Sequence, residues 1–197
     1  MESANTIYRS FNVLKEMLVD QGFDISNLEH VDKNELDLLI RQSDNIFQID
    51  VSKSVKIIYY LNAKFKINNL RTFLSSPPDG EQSNITDIIL IFKEKINNFN
   101  SKNVEEFKNK NLQVFLMKEL CFNVSKHELV PHHEIVSDPN EMKSLIEKHN
   151  LKNKLQFPII LKTDPMARYL NVQSGHLVKI TRTSPTAGES VVYRCCV

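Results

Sequence analysis

Glycine is scarce in this 197-residue chain: there are four, at positions 22, 80, 175 and 188, and no two stand close together. Phosphate-cradling loops and the nucleophile elbow of serine hydrolases need glycines a few residues apart, so both are excluded. Cysteine is also scarce, with Cys121, Cys195 and Cys196 only. The adjacent pair would point to opposite faces of a strand and is poorly placed to bond with itself. No disulfide framework is implied, and a reducing compartment is expected. No apolar run approaches the roughly 20 residues of a membrane span. The first residues lack the basic stretch followed by an apolar run that marks a signal peptide. The net charge is +1, which excludes a protein built as a whole to coat nucleic acid.

The composition, 41% hydrophobic and 25% charged, is that of an ordinary globular protein, and the length suits one large domain or two small ones. Ile7, Phe11, Leu14 and Leu18 recur at helical spacing, which predicts a helix over about 5–20 closed by Gly22 as a left-handed cap. Asp32 and Glu35 read as a capping box for a second helix, with Leu36, Leu39 and Ile40 inward. Phe47, Ile49 and Val51 alternate as a strand. The stretch Val55–Leu61 is apolar on both faces and reads as a central strand. A helix is predicted over 65–74, a buried strand over 87–92, a helical turn or two over 104–110, and a last strand through Leu112, Val114 and Leu116. This order describes a layered α/β domain over 1–124, with a restriction-endonuclease-like core as the nearest precedent.

A second, α+β domain is expected over 125–197. Asp138-Pro139 should open a helix that runs to about His149. Residues 156–162 read as a strand. Asp164-Pro165 is an N-cap followed by proline at the first helical position, where its missing N–H costs nothing. Gly175 sits in a turn. The stretches 176–182 and 190–196 then read as a hairpin with a long loop through Ser184-Pro185-Thr186-Ala187-Gly188. Charge is uneven: residues 151–197 hold Lys152, Lys154, Lys162, Arg168, Lys179, Arg182 and Arg194 against Asp164 and Glu189, a net of +5 that leaves −4 for the rest. That is either a solvated basic face or one that docks on an acidic partner.

Three chemistries fail on placement. A nuclease metal site would need Pro78-Asp79 and Glu106-Phe107-Lys108 to converge, yet the second lies in a helical stretch beyond an intervening strand. His127, His132, His133 and Cys121 lack metal-ligand spacing and read as surface or hinge residues. Cys195 and Cys196 read as packing residues. No catalytic residue, metal, cofactor, small-molecule substrate or membrane is expected.

What organises the C-terminal third is the order of its motifs: HELVPHH at 127–133, DPMARY at 164–169, SGHLVKI at 174–180, and RTSPTAGESVVYR at 182–194. These resemble HELVPKH, DPVARY, RGxVVKI and RxSETAGxxxxYR of the assembly module in the fifth-largest subunit common to eukaryotic RNA polymerases I, II and III. In archaea the same module stands alone as a complete polymerase subunit. The resemblance implies a non-catalytic polymerase subunit, since the polymerising site lies in the two largest subunits. It implies docking on the largest subunit and contact with other polymerase subunits, with His127, Pro131, Arg168, Tyr169, Arg182, Thr186, Gly188 and Arg194 as candidate docking residues. The plainer readings are core packing for Tyr169 and turn geometry for the 182–188 loop. The domain before it is similar to the family's jaw, which implies a place near downstream duplex DNA. Here Phe92 runs into Lys93-Glu94-Lys95 without the family's TPSA-like tip, so Lys93, Lys95 and Lys102 would meet phosphates only non-specifically. Pro185 replaces the family's Glu and His132 its Lys. A cellular copy is implied to be nuclear. A copy from a large DNA virus, compatible with the Asn, Lys and Ile bias, would occupy host cytoplasm and virion.

Overall fold

A computed structural model describes residues 2–28, 30–43, 46–52, 54–62, 85–95, 110–184, 186 and 188–197, the side chains of 2–4 excepted. The chain is mixed α and β, with two four-stranded sheets, and divides into two compact units, Met1–Phe122 and Asn123–Val197. The helices expected at 65–74 and 104–110, the Pro78-Asp79 and Glu106-Phe107-Lys108 motifs, and Lys102 lie outside the described residues.

In the first unit α1 (Glu2–Asp20) buries Ile7, Ser10, Phe11, Leu14, Met17 and Leu18. It ends where Gly22, at φ +84°, donates to Val19 O and Phe23 to Leu18 O, so the left-handed residue satisfies carbonyls that the helix leaves open. Helix α2 (Lys33–Gln42) follows. Asp32 holds its N-cap position with extended backbone, but its side chain makes no capping hydrogen bond, so the capping box expected there does not form. Leu36 is buried, while Leu39 and Ile40 are only half-buried.

The sheet runs in the order β1 (Ile46–Asp50), β2 (Val55–Tyr60), β3 (Asp87–Phe92) and β4 (Asn111–Leu116). β1 and β2 are antiparallel; β2–β3 and β3–β4 are parallel. All six residues of β2 are buried, as a strand covered on both faces requires. One face carries the cluster of Ile58, Tyr60, Ile88, Leu90 and Phe92. The other is tied to α1. The Phe47 and Tyr59 rings stack at 4.8 Å, and Gln21 and Gln113 exchange amide hydrogen bonds at 3.3 and 3.2 Å.

Ser10 Oγ donates to Ile7 O at 2.7 Å, so Tyr59 is the donor in its 3.3 Å contact with Ser10 Oγ. Burial lifts the Tyr59 hydroxyl above the ordinary tyrosine range, against a smaller opposing effect of the Ser10 bond. A group whose folded pKa is raised contributes its full stability below the unfolded value, about 10, and loses it as pH climbs from there toward the folded value. Above pH ~10 the wild type should therefore lose stability at a slope approaching about 1.4 kcal/mol per pH unit from this one proton. Tyr59→Phe should remove that slope in chemical-denaturation curves, while costing about 0.5–1.5 kcal/mol at neutral pH.

In the second unit β5 (His132–Val136) pairs antiparallel with β7 (Leu177–Ser184), β7 antiparallel with β8 (Gly188–Cys196), and β8 parallel with β6 (Ile159–Ile160). The sheet separates two clusters. One holds Ile160, Ala167, Val178, Ile180 and Cys196; the other holds Val136, Leu145, Phe157, Leu177 and Cys195. The adjacent cysteines thus enter opposite layers, both free and fully buried, and burial pushes both thiols up. Helix α3 (Pro139–Lys148) starts at Asp138, whose carboxylate accepts from Asn140 N–H.

Two expectations change here. The strand read over 156–162 shrinks to Ile159–Ile160, because Lys154–Gln156 forms a 3-10 turn capped by Asn153, and Gln156 Oε1 accepts from Lys152 N–H. The hairpin is longer, and its loop shorter, than the punctuation suggested: pairing continues through Thr183↔Glu189 to Ser184↔Gly188. Gly188, at φ +70°, lets the chain reverse within three intervening residues.

Candidate functional site: a groove on the C-terminal unit

Five separate stretches of the second unit meet at one surface groove of about 410 Å³. Leu129, Val130, Pro131 and His133 come from the first, and Asp164, Pro165 and Met166 from the next. Ile160, Ile180, Arg182 and Arg194 rise from the sheet, and Val124 closes one end. Register explains the convergence. His133 pairs with Ile180, while Arg182 pairs with Ser190 and Arg194 with Val178. Directly paired residues share a face of a sheet, as do residues two apart on a strand, so His133, Ile180, Arg182 and Arg194 all lie on one side.

Local hydrogen bonds set the walls. His127 Nδ1 accepts from Leu129 N–H at 3.2 Å, and His127 O accepts from Val130 N–H at 2.9 Å. That turn leaves Leu129 85% exposed, the most exposed large apolar side chain among the described residues. His133 Nδ1 donates to Pro131 O at 2.7 Å and fixes the ring. Asp164 Oδ1 accepts from Met166 N–H at 2.9 Å and Ala167 N–H at 3.4 Å, so it caps the short helix α4 (Pro165–Tyr169) and sets Met166 inward. Arg194 Nη1 donates to Ile159 O at 2.9 Å, which anchors one guanidinium; Arg182 is exposed.

Of the residues singled out from sequence, Pro131, Arg182 and Arg194 line the groove. His127 shapes its wall without lining it. Arg168 is half-buried on α4, and Tyr169 is 4% exposed, inside the unit. Thr186 and Gly188 belong to the hairpin tip, away from the lining, although Ser184 and Thr186 hydroxyls meet at 3.4 Å. Lys93 and Lys95 are exposed just after β3 in the other unit. Leu129, Val130, His133, Ile160, Met166 and Ile180 also line the groove, and none of them is among the candidate docking residues. For Leu129 there was a signal, an apolar residue set in a polar turn.

Among the described residues no group of three or more His, Cys, Asp or Glu side chains is placed to hold a metal ion, and no helix is long and apolar enough to cross a membrane. The groove offers an apolar floor and cationic rim, with no nucleophile–base pair. It is equipped to bind.

The chain is similar to known proteins of one family. The family described as RNA polymerase Rpb5, C-terminal domain, matches residues 122–196. Subunit 5B of the DNA-directed RNA polymerases IV and V of Arabidopsis thaliana is 30% identical over 199 residues, covering 95% of this chain and 88% of that protein. The RPABC1 subunit of DNA-directed RNA polymerases I, II and III of Dictyostelium discoideum is 27% identical over 203 residues, with both chains covered in full. Its Caenorhabditis elegans counterpart is 29% identical over 166 residues, which is 84% of this chain and 74% of that one.

Proposed function

Because the chain belongs to the Rpb5 family of RNA polymerase subunits, we propose that the groove of its C-terminal unit is what holds it in a DNA-directed RNA polymerase. Its part in that enzyme is that of a non-catalytic subunit. The carrying observation is the convergence described above. The motifs HELVPHH, DPMARY, VKI and YR are spread over some 70 residues, yet each contributes lining to the same groove. Packing alone does not require separate motifs to share an exposed surface; a common docking partner does. The largest polymerase subunit is the partner that the family resemblance indicates.

The N-terminal unit, with its buried mixed sheet, fits the role of the jaw beside downstream DNA. Lys93 and Lys95 would meet phosphates there without reading sequence, weakly and with strong salt dependence. A nuclear polymerase is the setting for a cellular copy, and host cytoplasm and virion for a viral one. Affinity purification of the tagged chain from its native source tests the proposal: the two largest polymerase subunits should come with it, and their absence would sink the reading.

A further inference from the structure

The groove's charge and spacing specify what occupies it. Val130, Pro131, Ile160, Met166 and Ile180 make an apolar floor. Arg182 and Arg194 stand at opposite ends of it, and Asp164, the one carboxylate among the described lining residues, is engaged in capping α4. The rim is therefore net cationic. Arg194 pairs with Val178, four residues before Arg182 on β7, with Ile180 midway. At about 3.3 Å per residue the two arginines are offset by roughly 13 Å along the strands.

A helical ligand would need acidic side chains seven residues apart, about 10.5 Å along its axis, and so two full turns seated on the groove. An extended segment places side chains only four residues apart about 13 Å from each other on one face, with the residue midway between them on that face too. We propose that the groove takes an extended segment of a partner polymerase subunit with the pattern acidic–x–apolar–x–acidic, the apolar side chain seated over Ile180 and the carboxylates on Arg182 and Arg194. This rests on the docking reading above and adds the chemistry of the partner. A nucleic-acid backbone would use the arginines but leave the apolar floor uncovered.

The test uses the isotope-labelled full chain and a synthetic peptide, Gly-Asp-Ser-Leu-Ser-Asp-Gly, titrated by NMR. Shifts are expected in Leu129–His133, Ile180, Arg182 and Arg194. The peptide with Lys in place of both Asp should give none, and Arg182→Glu should weaken binding at least about tenfold. Absence of shifts at these residues, equal binding of the Lys peptide, or displacement of the peptide by a short DNA duplex would overturn the proposal.

Retention of the chain by the polymerase separates the two claims, using Leu129→Ser and Arg182→Glu, both at exposed positions where folding is little affected. Loss with both supports docking and an acidic occupant. Loss with Leu129→Ser alone keeps the docking site and overturns the acidic occupant. Full retention of both variants overturns docking through the groove.

Discussion

Leu177→Ala should melt the C-terminal unit at least about 10 °C below the wild type and release the chain from its polymerase. Leu177 is fully buried on β7, between β5 and β8, and packs with Val136, Leu145, Phe157 and Cys195. Truncating such a leucine costs about 2–5 kcal/mol, part lost transfer energy and part the cavity left behind. A unit the size of Asn123–Val197 has a total stability on the order of 4–11 kcal/mol, so the loss takes a large share. The groove falls with it, because Val178 and Ile180, which follow on the same strand, help form the layer beneath the groove. Val191→Ala on the neighbouring strand is the control: Val191 is 44% exposed, and its loss should cost under about 1 kcal/mol. Calorimetry of the full chain checks both variants.

Phe11→Ala should do comparable damage to the other unit. Its ring is fully buried on α1, and Lys15 Nζ sits 4.7 Å from the ring centroid. Phenylalanine-to-alanine changes in a core cost about 3–5 kcal/mol. Limited proteolysis should then cut within residues 1–122 at protease levels that leave the wild type whole. Retention by the polymerase should stay near the wild-type level, since the proposed docking groove lies within residues 123–197. Equal loss of retention with Phe11→Ala and Leu177→Ala would show that both units are needed to dock.

Where the residues dictate a local outcome, they were readable. Val55–Tyr60 and Asp87–Phe92 are apolar on both faces and became the buried middle of a sheet. Gln21-Gly22 could end a helix in one way, and Asp164-Pro165 could begin one. Misreadings arose where side chains compete with the backbone. Apolar letters at Phe157, Ile159 and Leu161 suggested a strand. The Asn153 and Gln156 side chains instead captured backbone N–H groups and turned the chain, and Pro158 has no N–H to offer a partner strand. Asp32 looked like a capping side chain and supplies only the backbone geometry.

The groove was half legible. Its motifs stood out by order and spacing, and Pro131, Arg182 and Arg194 were among the candidates. That Val130, Met166 and Ile180 face the same space depends on how a turn, a capped helix and a strand pack together, which no single stretch of sequence carries. Tyr169 shows the converse, since a residue prominent in a motif can serve the core.

Quantitative mass spectrometry of material retained by the tagged full-length chain, purified from its native source at moderate salt, decides whether the groove holds the chain in a polymerase. The largest polymerase subunit is expected at close to one copy per retained chain in the polymerase-sized fraction, falling with Leu177→Ala and holding with Phe11→Ala. Recovery of the chain without the two largest polymerase subunits would contradict the docking proposal.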